Sequence, residues 1–503
     1  MTLHQHCQIV SAVVLLILAI VGILLVVLPA KDVETAENMY GIVMDAGSSH
    51  SSMYIYKWPA DKQNGTGIVS QHSECHGDGG GISSFAYVPG GAAESLKACL
   101  NQAVKDIPKS RHHQTQLYLG ATAGMRLLNI TSPTEAKRIL KEVENKLRSY
   151  PFNFKDATML SGTEEGAYGW VTVNYLLENF VKYGFVGRWL NPDRETVGAL
   201  DLGGASTQIT FETPEKIEAK ENMIELMLYG QTHRLYTQSF LCYGQEQILQ
   251  RLLAHLIKTQ GLGPVVTNPC YPREFKSSIK LGEDVFDSPC TKMYRPVQFD
   301  PQMSLSVVGT GDYRGCRDNL NQMFDFKNCS YSKCSFDGVF QPNVRGSFLA
   351  FSALFFIIDE IQLLTNISIT SHSHLEAAVI QICNMTISEL TSEPNLEEKY
   401  MKNTCAMSNY IQILLKQGYG FDERYFSSIS FRGEVGHAST GWTLGYMLVL
   451  SNMVPSESLE LMKALPLQPW GGILFLFIAI LLIALGYLLM TIHRNSGTIG
   501  GVV

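Results

Sequence analysis

Hydrophobic positions along the chain follow two kinds of pattern, and the division marks out its organisation. At each end they run together. Residues 7–30 contain no charged side chain and 9–28 are almost wholly apolar, long enough to cross a bilayer as one helix. Residues 464–493 contain no Lys, Arg, Asp or Glu, with the densest apolar run at 473–490 and Trp470 and Tyr487 near the expected interfaces. The first run has a second reading, as a cleaved signal peptide. Its length and the absence of Lys or Arg ahead of it favour an uncleaved anchor.

Between the ends, apolar residues come in short stretches or recur at helical spacing. Residues 40–56 read as strand, tight loop, strand, and 58–66 as a turn-rich connection. Residues 93–107 have helical spacing, and 117–125 read as a strand ending in small residues. Residues 132–149 form an amphipathic helix with Ser132 as its N-cap and Pro133 at its first position. Residues 347–364 and 375–390 read as helices, and 427–450 as strand then helix, returning to the first part of the chain. Strands alternating with helices predict an α/β architecture.

One unit occurs twice. Ile42-Val-Met-Asp45-Ala-Gly-Ser-Ser-His-Ser51 and Ala199-Leu-Asp201-Leu-Gly-Gly-Ala-Ser-Thr-Gln208 each deliver an aspartate from an apolar strand into a loop of small residues. Such a loop turns sharply and aims several N–H groups at one point, which suits a phosphate. The copies lie 156 residues apart, so the repeat is a duplicated fold rather than a short-period solenoid. Two such loops on the halves of a cleft can hold a polyphosphate and its metal ion between them.

Composition locates this machinery. A chain of 503 residues exceeds one ordinary core, and a net charge of -7 argues against a nucleic-acid binder, which would show a basic stripe. Of eleven cysteines, ten lie between the apolar ends, an even count that fits five disulfides in an oxidising compartment. Sequons at Asn64, Asn129, Asn328, Asn366 and Asn384 lie there too. Together they put the middle of the chain outside the cytosol and both short tails inside. Ala484 and Gly486 permit close packing in the second span, leaving a homo-oligomer through the membrane helices open.

Two further segments carry candidate chemistry. Gly120-Ala-Thr122-Ala-Gly-Met-Arg126 offers a hydroxyl and backbone N–H groups, or else a close packing corner. Gly162-Thr-Glu164-Glu165-Gly puts two acids at a strand-to-helix turn, where Glu is also favoured at a surface helix start. A carboxylate beside a phosphate cleft is what is needed to take a proton from an attacking water.

These segments together resemble the apyrase family, the ecto-nucleoside triphosphate diphosphohydrolases. Five of its regions occur in order, at Asp45–Ser52, Gly120–Arg126, Gly162–Trp170, Asp201–Gln208 and Gly441–Leu448. Residues 175–184 and 418–424 look closest to its cell-surface type 2 branch. The resemblance implies two RNase H-like lobes of the actin/Hsp70/hexokinase type with N- and C-terminal transmembrane helices. The expected divisions are a tail at 1–7, a span at 8–30, lobe I at 31–161 plus 428–462, lobe II at 162–427 with a disulfide-rich insertion, a span at 470–492 and a tail at 493–503.

By the same resemblance, Glu165 is the general base, and Ser206 and Gln208 hold the water in line with the terminal phosphorus. Ser48, Ser49, His50, Thr122, Ala123 and the Gly204-Ala205-Ser206-Thr207-Gln208 stretch cradle phosphates; Asp45 and Asp201 hold Ca²⁺ or Mg²⁺ through its waters. The implied disulfides are Cys75–Cys99, Cys242–Cys290, Cys270–Cys316, Cys329–Cys334 and Cys383–Cys405, which spacing alone does not fix. Phe356 stands where relatives stack a Tyr on the nucleobase, Thr163 replaces a usual Gln, and residues 395–405 depart where an opposing Arg is expected. The implied activity is removal of the terminal phosphate from nucleoside triphosphates, and more slowly diphosphates, at the outer face of the plasma membrane. The alternative is an inactive nucleotide-binding receptor or adhesion protein on the same scaffold.

Overall fold

The computed structural model of the chain describes residues 3–27, 31–32, 38–60, 68–183, 189–190, 194–393, 398–436, 438–451, 461–462 and 467–497. Two compact units result, one from Met39–Pro455 and one from Met1–Asn38 with Ser456–Val503. The second unit is built on two helices, Leu3–Val27 and Leu467–Gly497. Their segments Ile9–Val27 and Gly471–His493 are long and apolar enough to span a bilayer. Ala12, Ala19 and Val26 recur every seven residues and are buried, as in a helix-pair seam. Gly22 lies against the Phe477 ring, where any Cβ would clash.

The large unit holds two sheets of one design. In the first, strands β1 (Asn38–Ala46), β2 (Ser51–Pro59), β3 (Ser70–His76), β4 (Gln116–Ala121) and β5 (Asn153–Met159) lie in the order β3-β2-β1-β4-β5. Helix α1 (Ala123–Thr131) follows β4, and α2 (Gly162–Leu176) follows β5. The second sheet contains β6 (Gly198–Leu202), β7 (Ser206–Glu212), β8 (Met223–Leu228), β9 (Gln231–Leu241), β10 (Phe348–Ser352) and β11 (Ile429–Phe431). Its order is β8-β9-β7-β6-β10-β11. In both sheets the aspartate strand, β1 or β6, has a hairpin partner on one side and a parallel strand, β4 or β10, on the other. The duplicated loop is thus the visible part of a duplicated sheet. After β9 comes helix α3 (Gln245–Gln260), after β10 helix α4 (Ala353–Thr365), and after β11 helix α5 (Trp442–Ser451).

Strand alternation sorts the side chains of β1 between two cores. Ile42 and Met44 join Leu117, Ile139 and Val143 on one face. Val43, on the other, joins Tyr56, Trp58, Trp170, Phe351 and Trp442 in a core between the sheets. Helices α2 and α5 cross there. A Cβ on Gly445 would overlap the Tyr168 carbonyl, and the Gly445 N–H donates to Thr172 Oγ1 at 2.8 Å.

Three expectations need correction. Residues 347–364 are not one helix: Phe348–Ser352 is strand β10, buried in the middle of the second sheet, and the helix starts at Ala353. A short run with both faces buried, Phe348 and Ala350 in one core and Leu349 and Phe351 in another, carries no helical or strand periodicity to read. Likewise 428–462 does not fall wholly to the first lobe, because β11 pairs in parallel with β10 and completes the second sheet. The helix expected at 375–390 is two, His372–Cys383 and Ile387–Thr391.

Five disulfides close, Cys75–Cys99, Cys242–Cys290, Cys270–Cys316, Cys329–Cys334 and Cys383–Cys405. The cysteine-rich insertion contains a small sheet of Val265–Asn268, Lys276–Lys280 and Ser304–Gly309. Asn328, Asn366 and Asn384 are exposed and Asn129 partly so, while Asn64 lies outside the described residues.

Candidate functional site

The two aspartate loops meet face to face. A Cβ built on Gly204 in the second loop would stand 2.5 Å from Ser48 Oγ in the first, and one on Gly124 would stand 2.8 Å from the Ser48 Cα. Only residues without side chains leave this gap open. Behind the second loop, the first turn of α3 binds its carbonyls: Gln245 N–H donates to Gly203 O and Glu246 N–H to Gly204 O, both at 2.9 Å, and Cys242 N–H to Ala205 O at 2.9 Å. No cis peptide occurs among the described residues, so each of these carbonyls opposes the N–H of its own planar unit. The N–H groups of Gly204, Ala205 and Ser206 therefore turn away from those partners, the arrangement expected of an anion cradle. Gly244, just before α3, packs so tightly on the backbone of Gly204–Ser206 that no Cβ fits there.

The two acids at the start of α2 have separate tasks. Glu164 closes a capping box, its Oε2 accepting from the Ser161 N–H at 2.9 Å and the Ser161 hydroxyl at 2.8 Å, while Ser161 Oγ accepts from Glu164 N–H. Glu165, next along the helix, is buried. Its Oε2 accepts a charge-assisted bond from Arg126 Nη2 at 2.8 Å. The same nitrogen reaches Ser206 Oγ at 3.2 Å, and Arg126 Nη1 donates to the Leu160 carbonyl at 3.2 Å. Burial raises the Glu165 pKa, and the Arg126 guanidinium opposes that rise. Ser206 Oγ also accepts from Gln208 Nε2 at 2.7 Å, and that amide donates to Ser239 Oγ at 2.9 Å. Ser206 thereby keeps its hydroxyl hydrogen to give, and Gln208 Oε1 is buried without a partner.

Asp45 and Asp201 stand at the head of the two loops, each with Oδ1 sealed from solvent and lacking a hydrogen-bond partner. Burial, then the Glu165 charge and then Asp201 hold the Asp45 carboxyl well above its usual range. Burial and Glu165 push Asp201 up to about 7. Acids so raised lack positive charge, and unfilled carboxylate oxygens fit a hard divalent cation such as Ca²⁺ or Mg²⁺. Among the described residues no three His, Cys, Asp or Glu converge to cage an ion. That suits a cation that keeps most of its waters.

The other expected residues divide. Thr122 and Ala123 start α1 against the first loop, with the Thr122 N–H bonded to the Ala46 carbonyl at 3.1 Å. Ser49 is half-buried and His50 exposed, the two joined through Ser49 Oγ and His50 Nδ1 at 3.1 Å. Thr207 does not present its side chain. It is fully buried, its hydroxyl bonded to the Asp201 carbonyl and to Tyr419 Oη, both at 2.8 Å. Phe356, on α4, is 64% exposed and meets Phe355 edge-on at 5.2 Å. The region of the expected opposing Arg includes residues 394–397, outside the described residues. Two residues were missed. Arg126 stood inside a quoted motif without a role, and Gly244 has no motif signal.

Comparison with known proteins identifies the family. Residues 31–464 match the GDA1/CD39 (nucleoside phosphatase) family. The chain is 50% identical over 473 residues to ectonucleoside triphosphate diphosphohydrolase 2 of Homo sapiens, covering 94% of each chain. It is 45% identical to the protein of the same name from Gallus gallus, over 97% of this chain and 99% of that one. Among solved structures it is similar to a nucleoside triphosphate hydrolase from Neospora caninum, with a TM-score of 0.59 at 15% identity over 83% of this chain and 93% of that one, a likeness of fold. A duplicated sheet whose paired loops frame a buried glutamate, together with these matches, makes the chain a member of the GDA1/CD39 (nucleoside phosphatase) family and an enzyme of the nucleoside triphosphate diphosphohydrolase kind.

Proposed function

We propose that this enzyme removes the terminal phosphate from nucleoside 5′-triphosphates, and from diphosphates more slowly, at the outer face of the plasma membrane. The observation that carries the reading is the cluster Arg126–Glu165–Ser206–Gln208 set between two phosphate loops. In the reaction the oxygen of water attacks the terminal phosphorus, and the bond to the bridging oxygen breaks, releasing the shortened nucleotide. Glu165 accepts the proton that the water loses. Gln208 Oε1 and the Ser206 hydroxyl orient that water. Phosphoryl transfer needs positioning and charge neutralisation more than covalent help. Ser48, Ser49, His50, Thr122, Ala123 and the amides of Gly204, Ala205 and Ser206 supply positioning. Asp45 and Asp201 would hold Ca²⁺ or Mg²⁺, which when bound neutralises phosphate charge. Phe356 offers a face for the base.

Both terminal helices anchor the enzyme with its tails in the cytosol, an orientation supported by the disulfides and sequons between them. There it acts on extracellular nucleotide signals. The test is phosphate release from ATP and ADP by membranes carrying the wild type or Glu165→Gln, with and without EDTA. Release that needs both Glu165 and a divalent cation, faster on ATP, is the expected result. Equal release from both proteins would sink the assignment of Glu165.

A further inference from the structure

Two exposed imidazoles meet on one face of the β2–β3 hairpin. Ser52 on β2 lies directly opposite His76 on β3, and the ladder continues to the Gly77 N–H, which donates to Ser51 O at 2.8 Å. Side chains two places apart along a strand share a face, so His50 stands beside Ser52 and diagonally across from His76. The two ring centres are 6.1 Å apart, with the planes at 74°.

Each ring is already held by one nitrogen. His76 Nδ1 lies 2.9 Å from Ser52 Oγ, and His50 Nδ1 lies 3.1 Å from Ser49 Oγ. An Nδ1–H that donates to a hydroxyl leaves the lone pair on Nε2, the arrangement that presents an imidazole to a metal. Among the described residues neither Nε2 has a hydrogen-bond partner. An ion about 2.0–2.1 Å from an imidazole nitrogen lies about 3.2 Å from that ring's centre, so two rings sharing one ion stand up to about 6.4 Å apart. The observed spacing lies inside that limit. Imidazole suits Zn²⁺ and Cu²⁺, whereas the carboxylates of Asp45 and Asp201 suit Ca²⁺ or Mg²⁺, so the two places differ in the ion they take.

We propose that His50 and His76 together bind a zinc ion through their Nε2 atoms, with water completing its coordination, and that the bound ion slows hydrolysis. The second half rests on the reading of His50 as a phosphate residue of the first loop. With Nδ1 turned to Ser49, Nε2 is the ring atom left for phosphate, and zinc occupies it.

The test uses the full-length protein in nanodiscs, with zinc as the probe and excess calcium filling the oxygen-ligand sites. Calorimetry compares wild type, His50→Ala and His76→Ala. Phosphate release from Mg–ATP at buffered zinc compares wild type and His76→Ala. Both histidines are exposed, so neither change disturbs the core. Losing a supporting hydrogen bond already costs a metal site about ten- to a hundredfold in affinity, and losing a ligand costs at least as much. The expected result is zinc affinity about tenfold or more weaker in both variants, with the zinc inhibition curve of His76→Ala displaced by the same factor. Affinity unchanged in either variant overturns the shared site. Affinity lost in both variants, with wild-type hydrolysis indifferent to zinc, overturns the inhibition and the role of His50 in the cradle and leaves the site standing. Coincident inhibition curves show that zinc acts through the nucleotide or the aspartates, and overturn inhibition through this site. A wild type that releases no phosphate from ATP sinks the proposed activity, while calorimetry still decides the site.

Discussion

Arg126 Nη2 stands 2.8 Å from Glu165 Oε2 and 3.2 Å from Ser206 Oγ, so one guanidinium holds both the proposed base and the hydroxyl proposed to orient water. The ion pair joins α1 of the first lobe to the start of α2, and the second contact reaches the second loop. With Nη1 donating to the Leu160 carbonyl at 3.2 Å as well, the planar, always-charged fork serves three acceptors in one fixed geometry.

Arg126 lowers the pKa of a base that burial raises, so its removal shifts the acid limb of kcat/KM to higher pH. At any pH on that limb a smaller share of Arg126→Ala carries ionised Glu165, and raising the pH recovers part of the loss. The measurement is a pH profile of both proteins. A limb that stays in place while kcat falls at every pH would show that Arg126 acts on phosphate and not on the base.

The two neighbouring acids of α2 separate activity from stability. Glu165→Gln lowers kcat by about 10²- to 10⁴-fold with the fold intact. Glu164→Ala loses the capping box, costs about 1 kcal/mol of stability, and keeps most activity. Rates and Tm measured on the same preparations decide it, and an inactive Glu164→Ala of normal Tm contradicts the assignment.

Gly244→Ala disables the phosphate cradle from outside it. A methyl group there has no room against the backbone of Gly204–Ser206, so the loop must shift. Overpacking of this kind costs about 1–3 kcal/mol. KM for the triphosphate rises and Tm falls. A variant with the wild-type KM would show that the loop tolerates displacement.

Calcium stabilises the protein more at high pH than at low. Without a cation Asp201 titrates near 7, against an ordinary carboxylate when unfolded, so between those values the native state binds more protons than the unfolded one. Metal-free stability therefore falls as pH rises through that window, and a bound cation removes the cause. The Tm gain from saturating calcium at pH 8 exceeds that at pH 5.5, and Asp201→Asn abolishes the difference. Equal gains at both pH values would refute it.

Much of this was legible in the sequence because function repeats itself there. Asp45 and Asp201 mark matching strands, and matching strands imply matching sheets. The two apolar spans and an even set of ten cysteines were readable from composition, while the disulfide pairing came from the family resemblance. The exceptions have physical causes. Phe348–Phe351 is apolar throughout because Phe348 and Ala350 face one core and Leu349 and Phe351 the other, which erases the alternation that distinguishes a strand. Thr207 sits in a phosphate-loop motif, yet strand alternation turns its hydroxyl inward to Tyr419. Gly244 matters only through a contact that no local pattern encodes.

The Cys242–Cys290 disulfide lies against Ala123, Leu127 and Ala205, and the Cys242 N–H ties down the Ala205 carbonyl. The cradle is thus braced by a bond that a reducing cytosol does not sustain. Reduction of Cys242–Cys290 would leave the loop that carries Gly204–Ser206 held only from the first turn of α3, so the cradle's geometry answers to a covalent bond made outside the loop itself.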